Sequence, residues 1–190
     1  MSLQVGSIRA LSSTGTITLP ANNKIVGVDA GSVGGSGQII QVRYAQTPPT
    51  TYTISSTGIA AISGLSISFT PRFATSRILL QAMINHNAQY VTSLGFLKNG
   101  GYIGPITRAV NNSSDGSVST VYFGAGTTDI GYAWNSFVQY YDTAGDTTAR
   151  TYAAAASTSW SSVAYSLIIN DRTSNDMRSI SSFVIMEIAQ

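Results

Sequence analysis

Gly64-Leu-Ser-Ile-Ser-Phe-Thr-Pro71 decides the fold class. Leu65, Ile67 and Phe69 alternate with Ser66, Ser68 and Thr70, so an extended chain carries apolar side chains on one face and hydroxyls on the other. A helix, with its period of 3.6, would scatter those three apolar residues around its axis. Pro71 has no backbone N–H to offer a ladder and ends the segment. The stretch is a half-buried strand.

Further along, Ile78, Leu80, Ala82 and Ile84 share a face within Arg77 to His86, and Leu79 and Met83 add apolar surface to the opposite face. Such a strand is expected to be covered on both sides. Leu94 to Lys98 and Tyr102 to Ile103 flank Asn99-Gly100-Gly101, a turn signal that favours positive φ and a tight hairpin. Two more hairpins are predicted, one around Thr143 to Asp146 and one around Asn170 to Asp176. The last apolar run, Phe183-Val-Ile-Met-Glu-Ile188, is apolar on both faces and carries only Glu187 as a charge. It is either central in a sheet or set against neighbouring subunits.

No capping box leads into an apolar segment of helical period, so helices should be nearly absent. Many short antiparallel strands over residues 51–190 predict an all-β sandwich or jelly roll, two sheets burying their alternating faces against each other. Residues 1–50 read differently. Short apolar pieces at Ile17 to Leu19, Ile25 to Val28 and Ile39 to Val42 are split by Pro20, by Asn22-Asn23 and by the glycine-rich run from Gly31 to Gly37. That pattern predicts an extended N-terminal arm or a few small strands, and Thr47-Pro-Pro-Thr-Thr51 a stiff connector.

Composition narrows the function. Charged residues make up 9% of the 190, against about 25% in an ordinary domain, while 43% are hydrophobic, which argues for a folded chain rather than a disordered one. A net charge of +2 with lysines and arginines scattered singly gives no nucleic-acid footprint. Cysteine is absent, so neither disulfides nor thiolate metal sites can hold the fold. Assembly in a reducing cytoplasm would suit such a chain, and Met1 to Arg9 has no signal-peptide pattern and no apolar run is long enough to span a membrane.

Several segments resemble a module of tailed-bacteriophage virion surface proteins. They are Gly15-Thr-Ile-Thr-Leu-Pro20, Asn23-Lys-Ile-Val-Gly-Val-Asp-Ala-Gly-Ser32, Gly37-Gln-Ile-Ile-Gln-Val42, Gly64 to Leu80, and Ser182-Phe-Val-Ile-Met-Glu-Ile188. Together they cover about a quarter of the chain, with nothing comparable between Asn99 and Ser161. The resemblance implies a homotrimeric β-sandwich on the virion surface, either a capsid decoration (cement) protein bound to the major capsid protein or a tail-fibre or tailspike tip. The short N-terminal region favours decoration. In the alternative, the chain contacts tail proteins and its loops bind host surface glycans through Tyr102, Tyr122, Trp134, Tyr140, Tyr141 and Trp160, although aromatic residues also fill cores and subunit interfaces.

An enzyme is not expected, and no catalytic, cofactor-binding or metal residue is assigned. His86 is the only histidine and lies at the end of an apolar strand. Gly34-Gly-Ser-Gly37 lacks the spacing of a nucleophile elbow. The nearest acidic pairs, Asp142 with Asp146 and Asp171 with Asp176, sit in predicted turns, where aspartate caps backbone amides, and neither pair has the ligand density of a calcium loop. Arg72, Arg77, Arg108, Arg150, Arg172 and Arg178 are expected on surfaces or loops, and Asn111-Asn-Ser-Ser114 in a polar loop that no glycosylation machinery meets. Replacing Ile185 with Asp should abolish folding or assembly, which circular dichroism and native mass measurements on the purified variant would check.

Overall fold

The computed structural model describes residues 36–55, 58–88, 91–104, 119–122, 134–160, 163–164, 166–171 and 179–190. Every regular element among them is a strand. In chain order these are β1 (Ile39–Gln46), β2 (Tyr52–Ile54), β3 (Ala60–Phe69), β4 (Arg77–Ala88), β5 (Val91–Lys98) and β6 (Gly101–Ile103). They continue as β7 (Ser119–Tyr122), β8 (Trp134–Thr143), β9 (Arg150–Trp160), β10 (Val163–Ala164), β11 (Leu167–Ile169) and β12 (Ser182–Ile188). All pairings are antiparallel. The all-β sandwich expected from the alternating segments is the fold.

One sheet contains β1, β2, β4, β8, β11 and β12, the other β3, β5, β6, β7, β9 and β10. In the first sheet, β11 and β12 lie end to end along the same edge of β4, pairing with His86 to Ala88 and with Arg77 to Met83 respectively. In step with them, β1 pairs with β12 and β2 with β11. β8 runs along the other edge of β4. In the second sheet β6 and β7 share one edge of β5, β9 takes the other, and β3 pairs with β9. Counting each end-to-end pair as one strand and leaving aside the two-residue β10, the orders are 1-8-3-6 and 2-7-4-5.

The predicted turns meet different fates. Asn99 and Gly100 have φ of 51° and 80°, the positive values of a tight hairpin between β5 and β6. The other two hairpins do not form. β8 and β9 belong to opposite sheets, so Ala144 to Ala149 crosses between sheets. β11 and β12 run in the same direction, both antiparallel to β4, so the chain leaving at Asn170 and returning at Ser181 makes an excursion from one strand line. A local turn signal cannot tell these outcomes apart, because partner choice depends on residues far along the chain.

The core lies between the sheets. Leu65, Ile67 and Phe69 of β3 are buried and Ser66 and Ser68 exposed, as the alternation requires. Ile78, Leu80, Ala82 and Ile84 of β4 face them with Phe183 and Ile185 of β12, and Phe96 stacks on Phe183 with ring centroids 5.6 Å apart. β12 is central in its sheet, between β1 and β4, which is one of the two positions its sequence allowed. Glu187 is wholly buried, and its Oε1 accepts hydrogen bonds from the backbone N–H of Arg72 (2.8 Å) and Phe73 (3.1 Å), so the charge ties the β3–β4 corner to the last strand.

Residues 36–50, the end of the arm and the connector in the sequence reading, carry β1 and a buried polar node. At the level where β1 gives way to β2 and β12 to β11, Thr47 Oγ1 accepts from the Ser181 N–H (2.9 Å) and from Asn170 Nδ2 (2.8 Å). Ser181 Oγ donates to Asn170 Oδ1 (2.7 Å) and accepts from the Asn85 N–H (3.0 Å). Thr47, Asn170 and Ser181 are all buried. Replacing Thr47 with Val keeps the shape but strands these donors, and should lower unfolding stability by about 1–3 kcal/mol, read as a fall in urea midpoint without a change in m-value.

Candidate functional site

The two sheets present contrasting outer faces. On the second, small residues dominate: Ser66 and Ser68 of β3, Ala153 and Ala155 of β9, and Gly95 of β5. Tyr102 lies across Gly95 so closely that a Cβ there would stand 2.9 Å from its ring, and partial burial pushes the Tyr102 hydroxyl up to about 12. This face closes on itself.

The first sheet's outer face is apolar and open. Register places its residues in level rows across β1, β12, β4 and β8: Val42, Met186, Leu79 and Tyr141; then Tyr44, Val184, Gln81 and Gln139; then Gln46, Ser182, Met83 and Phe137. A bulge between Ile39 and Gln41 brings Ile39 level with Ile188 on the same face. Val42 is 53% exposed, Tyr44 58%, Phe137 61% and Tyr141 50%, while Leu79 between them is buried. Apart from Arg77, in the row with Ile39 and Ile188, no side chain in these rows is charged. β4 was expected to be covered on both sides; Met83 on this face is 42% exposed in the single chain. Large apolar side chains gathered on an open sheet face cost free energy in water, which makes this face the candidate interaction surface.

Of the six aromatic candidates for a glycan site, the four whose side chains are described do not form one exposed platform. Tyr140 packs from β8 against the core, Tyr141 lies on the opposite side of the same strand, and Tyr102 covers Gly95 on the other sheet. Trp134 is half exposed at the end of β8 remote from residues 37–38 and 189, which pair with each other. The side chains of Tyr122 and Trp160 lie outside the described residues.

His86 is wholly buried on β4, and its Nε2 and Ser136 Oγ are hydrogen-bonded at 2.8 Å. Sequence reading missed this pair, which exists only because β4 and β8 align across fifty residues. A serine beside a histidine has the outline of a nucleophile and its base. Burial, however, pushes the His86 pKa down from 6.5 to about 4, which makes the ring a weak base, and both side chains point into the core.

The acidic pairs separate. Asp146 is exposed and accepts from the Thr148 N–H at 2.7 Å, a turn contact that lowers its pKa. Asp142 is not in a turn but at the end of β8, holding Lys98 (2.8 Å) and the Tyr152 hydroxyl (2.6 Å), which burial and this carboxylate push upward. Asp171 is buried and accepts from Thr51 Oγ1 at 2.6 Å; Asp176 lies outside the described residues. Among the described residues no group of three or more histidines and carboxylates is placed to hold a metal ion.

Arg72 and Arg77 are exposed as expected. Arg150 is not: it is buried and spans the corner between sheets, donating to the carbonyls of Ala144, Asp146 and Thr148 and pairing with Asp146. A guanidinium can satisfy several orphan carbonyls at once, which sequence alone did not reveal. Arg108, Arg172, Arg178 and the Asn111 segment lie outside the described residues. Compared with known proteins, the chain matches no family model and no curated sequence.

The buried histidine sets a pH dependence. Because the folded pKa lies below the unfolded one, the unfolded chain binds a proton that the folded chain refuses between pH 6.5 and about 4. Stability should fall with pH through that window, by about 1.4 kcal/mol per unit, and His86→Gln should remove this part of the slope. Urea midpoints of both proteins at pH 7 and pH 5 would check it.

Proposed function

We propose that this chain is a structural protein of a tailed bacteriophage virion, working as a homotrimer that decorates the capsid exterior, with its N-terminal region on the major capsid protein. The observation that carries the reading is the apolar, nearly uncharged outer face of the sheet formed by β1, β12, β4 and β8. A monomer gains nothing from such a face, and a protein whose task is to assemble does.

Three further features support it. The strand orders 1-8-3-6 and 2-7-4-5 support the jelly-roll reading, an architecture that suits a rigid particle component. The low charge suits a surface stabilised by protein contacts. The phage-like segments Gly37 to Val42, Gly64 to Leu80 and Ser182 to Ile188 fall on β1, on β3 with the start of β4, and on β12, the strands that build the core and this face. Stabilisation of a shell would follow from mass action: a trimer that binds only the assembled lattice opposes subunit loss, and three simultaneous attachments raise avidity without new chemistry.

The tail-fibre alternative requires a clustered, exposed aromatic platform, and the four described aromatic candidates are dispersed over separate faces. Copy number on purified particles separates the two readings. Gel densitometry with antibody labelling in the electron microscope should find the protein in hundreds of copies over the head; a few tens or fewer, confined to the tail, would establish the fibre reading, and absence from particles would sink both.

A further inference from the structure

We infer that the outer face of the β1, β12, β4 and β8 sheet is occupied by further copies of this chain, and that the contact is head-to-tail, the β1 margin of one copy on the β8 margin of the next, closing a ring of three. This rests on the proposal that the protein is a homotrimer and specifies how the trimer is built.

The distribution of exposure points to the two margins. Val42 and Tyr44 on β1, and Phe137 and Tyr141 on β8, are all at least half exposed, whereas in the centre Met83 is 42% exposed, Met186 and Val184 are half-buried and Leu79 is buried. β1 and β8 are the two outer strands of the sheet, three spacings or about 14 Å apart. The margins differ in composition, one contributing Ile39, Val42 and Tyr44 and the other two aromatic rings, so a head-to-tail contact joins unlike surfaces. Unlike surfaces of this kind generate a ring when the rotation closes.

A ring uses both margins of every copy, two contacts per chain, where a face-to-face dimer makes one. Charge is consistent with a like partner. In the three rows from Val42 to Phe137 neither sign is present, so a basic or acidic partner finds no complement, whereas a second neutral apolar margin does. A three-fold axis running along the strands keeps each row at its own height, which sets Val42 of one copy opposite Tyr141 of the next.

Cysteine cross-linking tests this, because the chain has no cysteine of its own. Val42→Cys and Tyr141→Cys lie in one row about 14 Å apart within a chain, too far for an internal disulfide, which needs Cα atoms within about 7 Å. Oxidation of the full-length double variant should yield a covalent species of three chains on a non-reducing gel, and each single variant should yield no covalent dimer. The unmodified protein should have the native mass of three chains. A covalent species that stops at two chains would show a two-fold face-to-face pairing and overturn the inference, as would homodimers of either single variant or an oligomer that resists cross-linking. A full-length monomer that trimerises only when residues 1–35 are deleted would assign the face to the chain's own N-terminal segment and overturn it too. Failure of the virion reading is separate: a three-chain ring from a protein absent from particles sustains this inference and refutes that function.

Discussion

Sheet continuity in this protein depends on a buried polar node. Two strand lines of the same sheet are broken at the same height, β1 from β2 and β11 from β12, and each break leaves backbone groups without ladder partners in the interior. Buried backbone groups must be paired. Thr47, Asn85, Asn170 and Ser181 do this together: the Asn170 N–H reaches the Asn85 carbonyl, Asn170 Nδ2 reaches the Thr50 carbonyl, and the Thr47 N–H reaches the Ser181 carbonyl. Because the breaks are stitched rather than open, β1 keeps its alignment with β12 and the outer rows stay level.

Polar groups elsewhere act the same way. Glu187 holds the amides of the β3–β4 corner, Arg150 holds the carbonyls of the β8–β9 corner, and Asp142 joins Lys98 of β5 to Tyr152 of β9. Among the described charged residues Arg150, Asp171 and Glu187 are buried, at points where the chain passes between sheets or leaves a strand line. The outer face of the first sheet is left almost without charge.

Much of the fold was legible because alternation is a local property. Leu65, Ile67 and Phe69 could be assigned to the core from their spacing, and Asn99-Gly100 to a hairpin from its dihedral preference. The candidate face was only partly legible. Leu79 and Met83 were visible as apolar residues on the second face of β4, but nothing in their spacing told whether this chain or another would cover them. Tyr141 and Val42 share a row through three successive registers, each joining segments distant in sequence.

The sequence by itself determined the main strands, their inward faces and the absence of helices among the described residues, since each follows from a period of two and from residues that bias the backbone within a few positions. Only the tertiary structure decided which strands are neighbours. It turned two apparent hairpins into a crossing between sheets and an excursion from one strand line, made a staple of Arg150, and gathered the surplus apolar residues of four strands onto one open face. The physical reason is that pairing is a competition among whole strands for burial and backbone hydrogen bonds, and no short stretch of sequence contains the partner that wins.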